Sequence, residues 1–244
     1  MVTKTIQILG LILLLGFLCS ASCEKPERKC TRHYLFEEAI SIYPAKDTFQ
    51  LGDTFFIDVS TPTYMHDLAE NTHIELKDHG IITYIHMFQI LPQDSNRHFY
   101  PGHPGYEGAM DPNANGKFDY SNEKGKWNVI GKFGVAMEYD TINSNFVHKT
   151  AIIVKDTGLF YFHIFDALYF YVYTESRRPN LTDTECTQYW DKMKLTVNDG
   201  NTNIYLLEDR GMTFRVGPAT NGETDLHNCK HGSWSFVVVP KSTP

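Results

Sequence analysis

Residues 43–62 read YPAKDTFQLGDTFFIDVSTP. Phe49 and Leu51 alternate with polar neighbours, Gly52-Asp53 interrupts, and Phe55, Ile57 and Val59 then alternate with Phe56, Asp58 and Ser60. Period-2 alternation on both sides of a Gly-Asp break predicts two short extended segments separated by a turn or kink. Gly52 can take the positive φ that such a turn demands. Pro44 and Pro62 bracket the pair, and proline sits badly inside a central strand. A strand that enters, kinks and continues into a core-bearing sheet is how an antiparallel sandwich often begins. The fold class expected from this stretch is mainly β, an antiparallel sandwich.

The rest of the chain agrees with that class. It has 244 residues, 42% hydrophobic and 21% charged, an ordinary globular balance. Aromatic residues reach 14%, which suits pleated, half-buried surfaces. The formal net charge of −7 argues against a non-specific nucleic-acid binder.

Residues 1–22 read as an export signal. Lys4 supplies the positive start, and 6–18 is an apolar run broken only by Gln7, Gly10 and Gly16. The run is too short for a stable membrane span. It ends in Leu18-Cys19-Ser20-Ala21-Ser22-Cys23, where small residues before a cysteine resemble a bacterial lipobox, with Ser20 standing where an aliphatic residue is usual. Lipid attachment at Cys23 is the expectation. Ordinary cleavage after Ser22, which leaves Cys23 available for a disulfide, is the alternative. Residues 23–32 then form a charged tether carrying Cys30, and 33–244 form the folded body, one large sandwich or two smaller units. The stretch 33–43 is compatible with helix or strand; a strand leading into Pro44 fits better.

These features together resemble a broad group of uncharacterised Bacteroidota-type surface lipoproteins. The matching residues are the Cys23 anchor, the tether with Cys30, Pro44, Lys46-Asp47-Thr48-Phe49 and Leu51-Gly52-Asp53-Thr54, within 17–62. The resemblance implies a cell-envelope location, outer membrane first, and an immunoglobulin-like or related β-sandwich. It implies no activity.

Further along, 63–79 is polar and is expected to be a connection with a helical turn near 65–70. Residues 80–91 predict a strand with two apolar faces, hence a central one. Residues 92–126 carry Pro92, Pro101, Pro104 and Pro112 with five glycines, which predicts a long loop. Alternation resumes at 127–139 and 146–154. Residues 159–174 are apolar and aromatic at two-residue spacing, with a bend expected at Asp166-Ala167. Residues 182–194 predict a helix: Thr182 and Glu185 form a capping-box pattern, and Cys186, Tyr189, Trp190 and Met193 share one helical face. Short strands are expected at 195–197, 204–207, 212–216 and 234–239, with a turn at 198–201.

The chemistry-bearing residues are few. With Cys23 lipidated, Cys186 and Cys229 are the expected disulfide, worth about 4 kcal/mol on the loop-entropy account; Cys30 is then left over. Without lipidation, four cysteines allow three connectivities. Asp111, Asn113, Asn115 and Asp119 have the spacing of the first half of a calcium loop, with Gly116 at the turn. The second half fails, because Asn122 stands where the closing glutamate belongs; an Asn-Gly turn is the plainer account. Calcium is the one cofactor considered. Histidines 73, 79, 86, 98 and 103 lack a helical ligand pair, and His86 and His163 are expected to be satisfied within the sheet. Adjacent Glu37 and Glu38 would face opposite sides of a strand, a poor pair for glycoside chemistry. Tyr100, His103 and Tyr106 in the Pro/Gly loop suit a glycan or protein ligand; burial against the sandwich is the competing account. No nucleophile, zinc-protease or phosphate-loop signature is present. The expectation is an exported, lipid-anchored structural or binding protein of the cell envelope without catalytic machinery, partnered by the membrane and by a protein or glycan. A secreted protein is the alternative location. An exported hydrolase with its site in 92–126 is the alternative activity.

Overall fold

The computed structural model describes residues 30–76, 82–92, 98–99, 114–132, 134–166, 186–214 and 223–242. The chain opens with β1 (Cys30–Tyr43), β2 (Thr48–Gln50), β3 (Thr54–Pro62), β4 (Tyr64–Asp67), β5 (Thr72–Glu75), β6 (Ile82–Ile90) and β7 (His98–Phe99). It continues with β8 (Phe118–Lys124), β9 (Lys126–Ile130), β10 (Gly134–Glu138), β11 (Asp140–Ile142), β12 (Asn145–Val154) and β13 (Gly158–Asp166). After β14 (Cys186–Val197) come a short helix α1 (Tyr205–Glu208), β15 (Thr213–Phe214), helix α2 (Glu223–Lys230) and β16 (Ser233–Val239).

Among the described residues, twelve strands form two six-stranded sheets, while β4–β5 and β7–β15 form two-stranded ones. The first runs β11-β12-β3-β1-β14, with β8 also paired to β12; the second runs β2-β16-β13-β6-β10-β9. The expected mainly-β class is what the chain adopts. The sheets are mixed, however, and the antiparallel expectation is corrected: β1 pairs β14, β2 pairs β16 and β7 pairs β15 in parallel. Period 2 is common to both kinds of strand, so alternation carries no information on direction.

The Gly52 turn does more than kink a strand. β2 belongs to the second sheet and β3 to the first, so residues 51–53 carry the chain from one layer to the other. Gly52 sits at φ +89, and Gln50 N–H donates to Asp53 Oδ2 at 2.9 Å. Gly52 N–H donates to Val154 O and Val154 N–H to Asp53 O, tying the crossing to the end of β12.

The inward residues of both sheets meet in one cluster. Phe55 of β3 lies 5.0 Å from Trp234 and 6.0 Å from Phe162, ring centre to ring centre, so the core is an interlocked set of tilted and edge-on rings. A smaller cluster of Ile90, Leu159, Tyr161, Ile204, Leu207 and Met212 covers part of the outer face of the second sheet.

Several elements depart from expectation. The helix predicted over 182–194 is a strand from Cys186 onward, with Met193, Leu195 and Val197 buried. The strand predicted at 204–207 is the helix α1. Residues 64–75 form the β4–β5 hairpin rather than a helical turn, with Asn71 at φ 54 in its bend. Part of the predicted long loop is ordered as β8, whose exposed residues alternate too weakly to reveal a strand.

Candidate binding surface

Among the described residues, nothing covers the outer face of the first sheet along β1 and β3. Along β1, Glu37, Ala39, Ser41 and Tyr43 are exposed, while Tyr34, Phe36, Glu38, Ile40 and Ile42 face the core. On β3 the outward set is Thr54, Phe56, Asp58 and Ser60. Ala39, Ser41, Thr54 and Ser60 are small, and Tyr43 and Phe56 are the two aromatic rings of this face.

Register brings those rings together. Tyr43 is opposite Phe56, and Asp58 is opposite Lys149 of β12. The Tyr43 and Phe56 rings stack with centres 5.1 Å apart and planes 19° from parallel. Lys149 Nζ lies 5.2 Å from the Phe56 ring centre and 5.9 Å from that of Tyr43, within cation–π range. Lys149 also pairs with Glu123 at 2.7 Å, and Tyr43 Oη donates to Asp58 Oδ2 at 3.2 Å. The Glu123 hydrogen bond, followed by that of Tyr43, holds the Lys149 ammonium above its ordinary pKa. An aromatic platform is thus edged by one cation and two carboxylates.

A second polar cluster lies between the sheets. Glu38 occupies an inward position in an apolar stripe and is 2% exposed. Tyr139 Oη donates to Glu38 Oε2 at 3.0 Å, with Thr61 and Thr83 hydroxyls each at 3.4 Å from the carboxyl oxygens. Burial raises the Glu38 pKa from 4.5 to about 7, and the three hydroxyls pull it partly back. Glu37 and Glu38 therefore face opposite sides, as the strand reading required.

On the second sheet, His163 and His86 are opposite one another. His163 Nδ1 is 3.1 Å from Ser233 Oγ, and Tyr161 Oη donates to that same Oγ at 3.2 Å. Ser233 in turn donates to Asn228 O at 2.9 Å and is fully buried. Its proton is spent on a carbonyl, so this Ser–His contact is a packing arrangement. Burial, with His86 adding to it, pushes His163 down to about 3; burial pushes His86 down to about 4. Both rings are neutral at ordinary pH, in keeping with histidines satisfied within a sheet.

The residues singled out from sequence are dispersed. Cys23, Tyr100, His103, Tyr106, Asp111 and Asn113 lie outside the described residues. Asn115 is buried in the 3-10 turn Ala114–Lys117, where Nδ2 donates to Gly134 O at 3.1 Å and Gly131 O at 3.3 Å. Its Oδ1 accepts from Tyr120 Oη at 3.4 Å. Asp119 is on β8 and pairs with Lys155 at 2.7 Å. Asn115 and Asp119 are thus committed to separate structural contacts. No cluster of three or more metal-capable side chains occurs among the described residues. No described helix is long and apolar enough to cross a membrane.

Cys186 and Cys229 are not brought together. Asn228, beside Cys229 in α2, bonds Met193 O and Leu195 N through its side chain. Cys186 is seven strand residues away from Met193, about 23 Å at the strand rise, and a disulfide needs Cα atoms within about 7 Å. The expected pairing placed Cys186 on a helix and Cys229 ahead of a strand in the same C-terminal region; the strand β14 carries Cys186 away from α2 instead.

Tyr43, Phe56 and Lys149 went unnoticed in the sequence. Their signal was Phe56 itself, an aromatic residue on the polar side of the β3 alternation. No protein-family model matches the chain, and no curated protein matches it significantly.

Proposed function

We propose that this is an exported, lipid-anchored binding protein of the cell envelope, akin to the Bacteroidota-type surface lipoproteins with an immunoglobulin-like sandwich, and that its ligand is a glycan. The leader and Cys23 support the location. The observation that carries the binding role is the Tyr43–Phe56 platform with Lys149, Asp58 and Glu123 at its rim. A sugar ring offers a weakly polar C–H face to an aromatic surface and hydroxyls that both donate and accept. The rim provides a donor in Lys149 and acceptors in Asp58 and Glu123. A protein hot spot would more often be a recessed, water-excluding pocket, and this surface is shallow.

Native gel electrophoresis through gels containing starch, mannan, xylan or β-glucan tests the reading. Retardation is expected in at least one gel, and Tyr43→Ala/Phe56→Ala should weaken it roughly tenfold, the loss of one aromatic contact or more. Both side chains lie on the outward side of their strands, so the far-ultraviolet circular dichroism of the backbone should be unchanged. Retardation that survives the double variant, or none in any gel, refutes the platform as a glycan site. Release of reducing ends from a retarding polysaccharide would instead favour the exported hydrolase.

A further inference from the structure

We propose that Cys30 and Cys186 form a disulfide that fastens the end of the N-terminal tether to the edge strand β14. Strands β1 and β14 pair in parallel, and the first pair of that ladder is Cys30 with Cys186. Paired neighbours stand about 4.7–4.9 Å apart, inside the window of about 4.4–6.8 Å that disulfides require between Cα atoms. Residues in register across a parallel pair occupy the same face of the sheet. The register shifts between Cys30 and Thr31, so the cysteine pair sits on the far side of a bulge.

The remaining cysteines do not compete. Cys229 is buried in α2, close to the Met193–Leu195 end of β14. Cys19 falls within the leader, and Cys23 is the residue assigned to the lipid. Because β14 is the outermost described strand of its sheet, the link would also hold the beginning of that edge in place. Tension on the anchor would then load two strands rather than one.

The step is a two-electron oxidation. Two thiols lose two protons and two electrons to form one S–S bond, and a disulfide oxidant such as glutathione disulfide accepts them and leaves as two thiols. In the cell this rests on the export proposed above, since thiols stay reduced in the cytosol.

The full chain, purified from its host under non-reducing conditions with free thiols alkylated, should yield a peptide pair joined through Cys30 and Cys186. Reduction should lower its melting temperature by roughly 5–15 °C. Cys30→Ser and Cys186→Ser should each abolish that reduction-dependent shift, while Cys229→Ser keeps it. The same purified chain, reduced and then equilibrated with glutathione disulfide, separates the two readings. A Cys30–Cys186 link that forms only in that buffer supports the pairing and removes the exported location. Alkylated Cys30 and Cys186 in both preparations, or a link from either one to Cys23 or Cys229, overturns the proposal.

Discussion

At the scale of single residues, Glu38 is the group whose chemistry the fold changes most. It stands in a stripe of Tyr34, Phe36, Ile40 and Ile42 and meets hydroxyls from Thr61, Thr83 and Tyr139. Those partners come from both sheets, so the acid fixes one layer against the other. Its pKa rises from 4.5 in the open chain to about 7 in the folded one, chiefly through burial. The folded state therefore holds a proton that the unfolded chain has already released. Stability from this group is full below about pH 4.5, falls between about 4.5 and 7, and is level above that. The fall amounts to about 3 kcal/mol in all. Glu38→Gln keeps the shape and a neutral hydrogen-bonding end, so urea unfolding of the variant should lose this slope and gain relative to the parent above pH 7. An identical pH slope in parent and variant would show that Glu38 is not the titrating group. The sequence showed that Glu37 and Glu38 face opposite ways. It could not show that the inward one meets three hydroxyls from distant strands.

At the scale of elements, the edge of β14 is where the C-terminal helix α2 docks. An edge strand exposes unpaired N–H and C=O groups that invite association. Here Asn228 of α2 supplies the missing pairing: its Oδ1 accepts from Leu195 N at 2.9 Å and its Nδ2 donates to Met193 O at 3.0 Å. One turn on, Val197 N donates to His231 O at 2.7 Å. A side-chain amide thus stands in for a neighbouring strand. Asn228→Ala would remove both bonds and take from the buried Leu195 N–H the acceptor it has here, at about 1–3 kcal/mol. The urea midpoint should fall with the slope unchanged, and self-association, followed by light scattering, should rise. A midpoint shift below about 0.5 kcal/mol would mean that the edge is satisfied some other way. This element also shows why local sequence misled. Thr182, Glu185 and the 186–193 pattern are helical signals of a few tenths to about one kcal/mol each. They are outweighed by the row of backbone hydrogen bonds that β1 offers over Cys30–Ile40. The partner that decides the conformation lies about 150 residues earlier, beyond the reach of any window of local periodicity. The strands β3, β6, β12 and β16 were legible because their alternation and their turns are both local. The parallel pairings and the amide cap were not.

Over the whole molecule, β1 sets the distances. It is 14 residues long, so Cys30 and Tyr43 are separated by about 40 Å at the strand rise. The tether from Cys23 to Cys30 spans at most about 25 Å when fully extended. The proposed lipid and the aromatic platform would therefore belong to opposite ends of one strand, and that strand is paired along its length with β14, β3 and residues of the β4–β5 hairpin. On the proposed function, that arrangement would separate attachment from recognition. A lipid at Cys23 would supply membrane affinity through buried methylenes, at about 0.8 kcal/mol each, and would draw on nothing in the folded body. Cys23→Ser should accordingly move the chain from the membrane pellet to the soluble fraction. It should leave the urea midpoint and the polysaccharide retardation where they were. If the released chain unfolds at lower urea or migrates freely through the polysaccharide gel, anchor and platform are coupled, and the separation read from β1 fails. If the variant stays in the pellet, with no acyl mass on the mature parent's N-terminus, Cys23 is not the anchor.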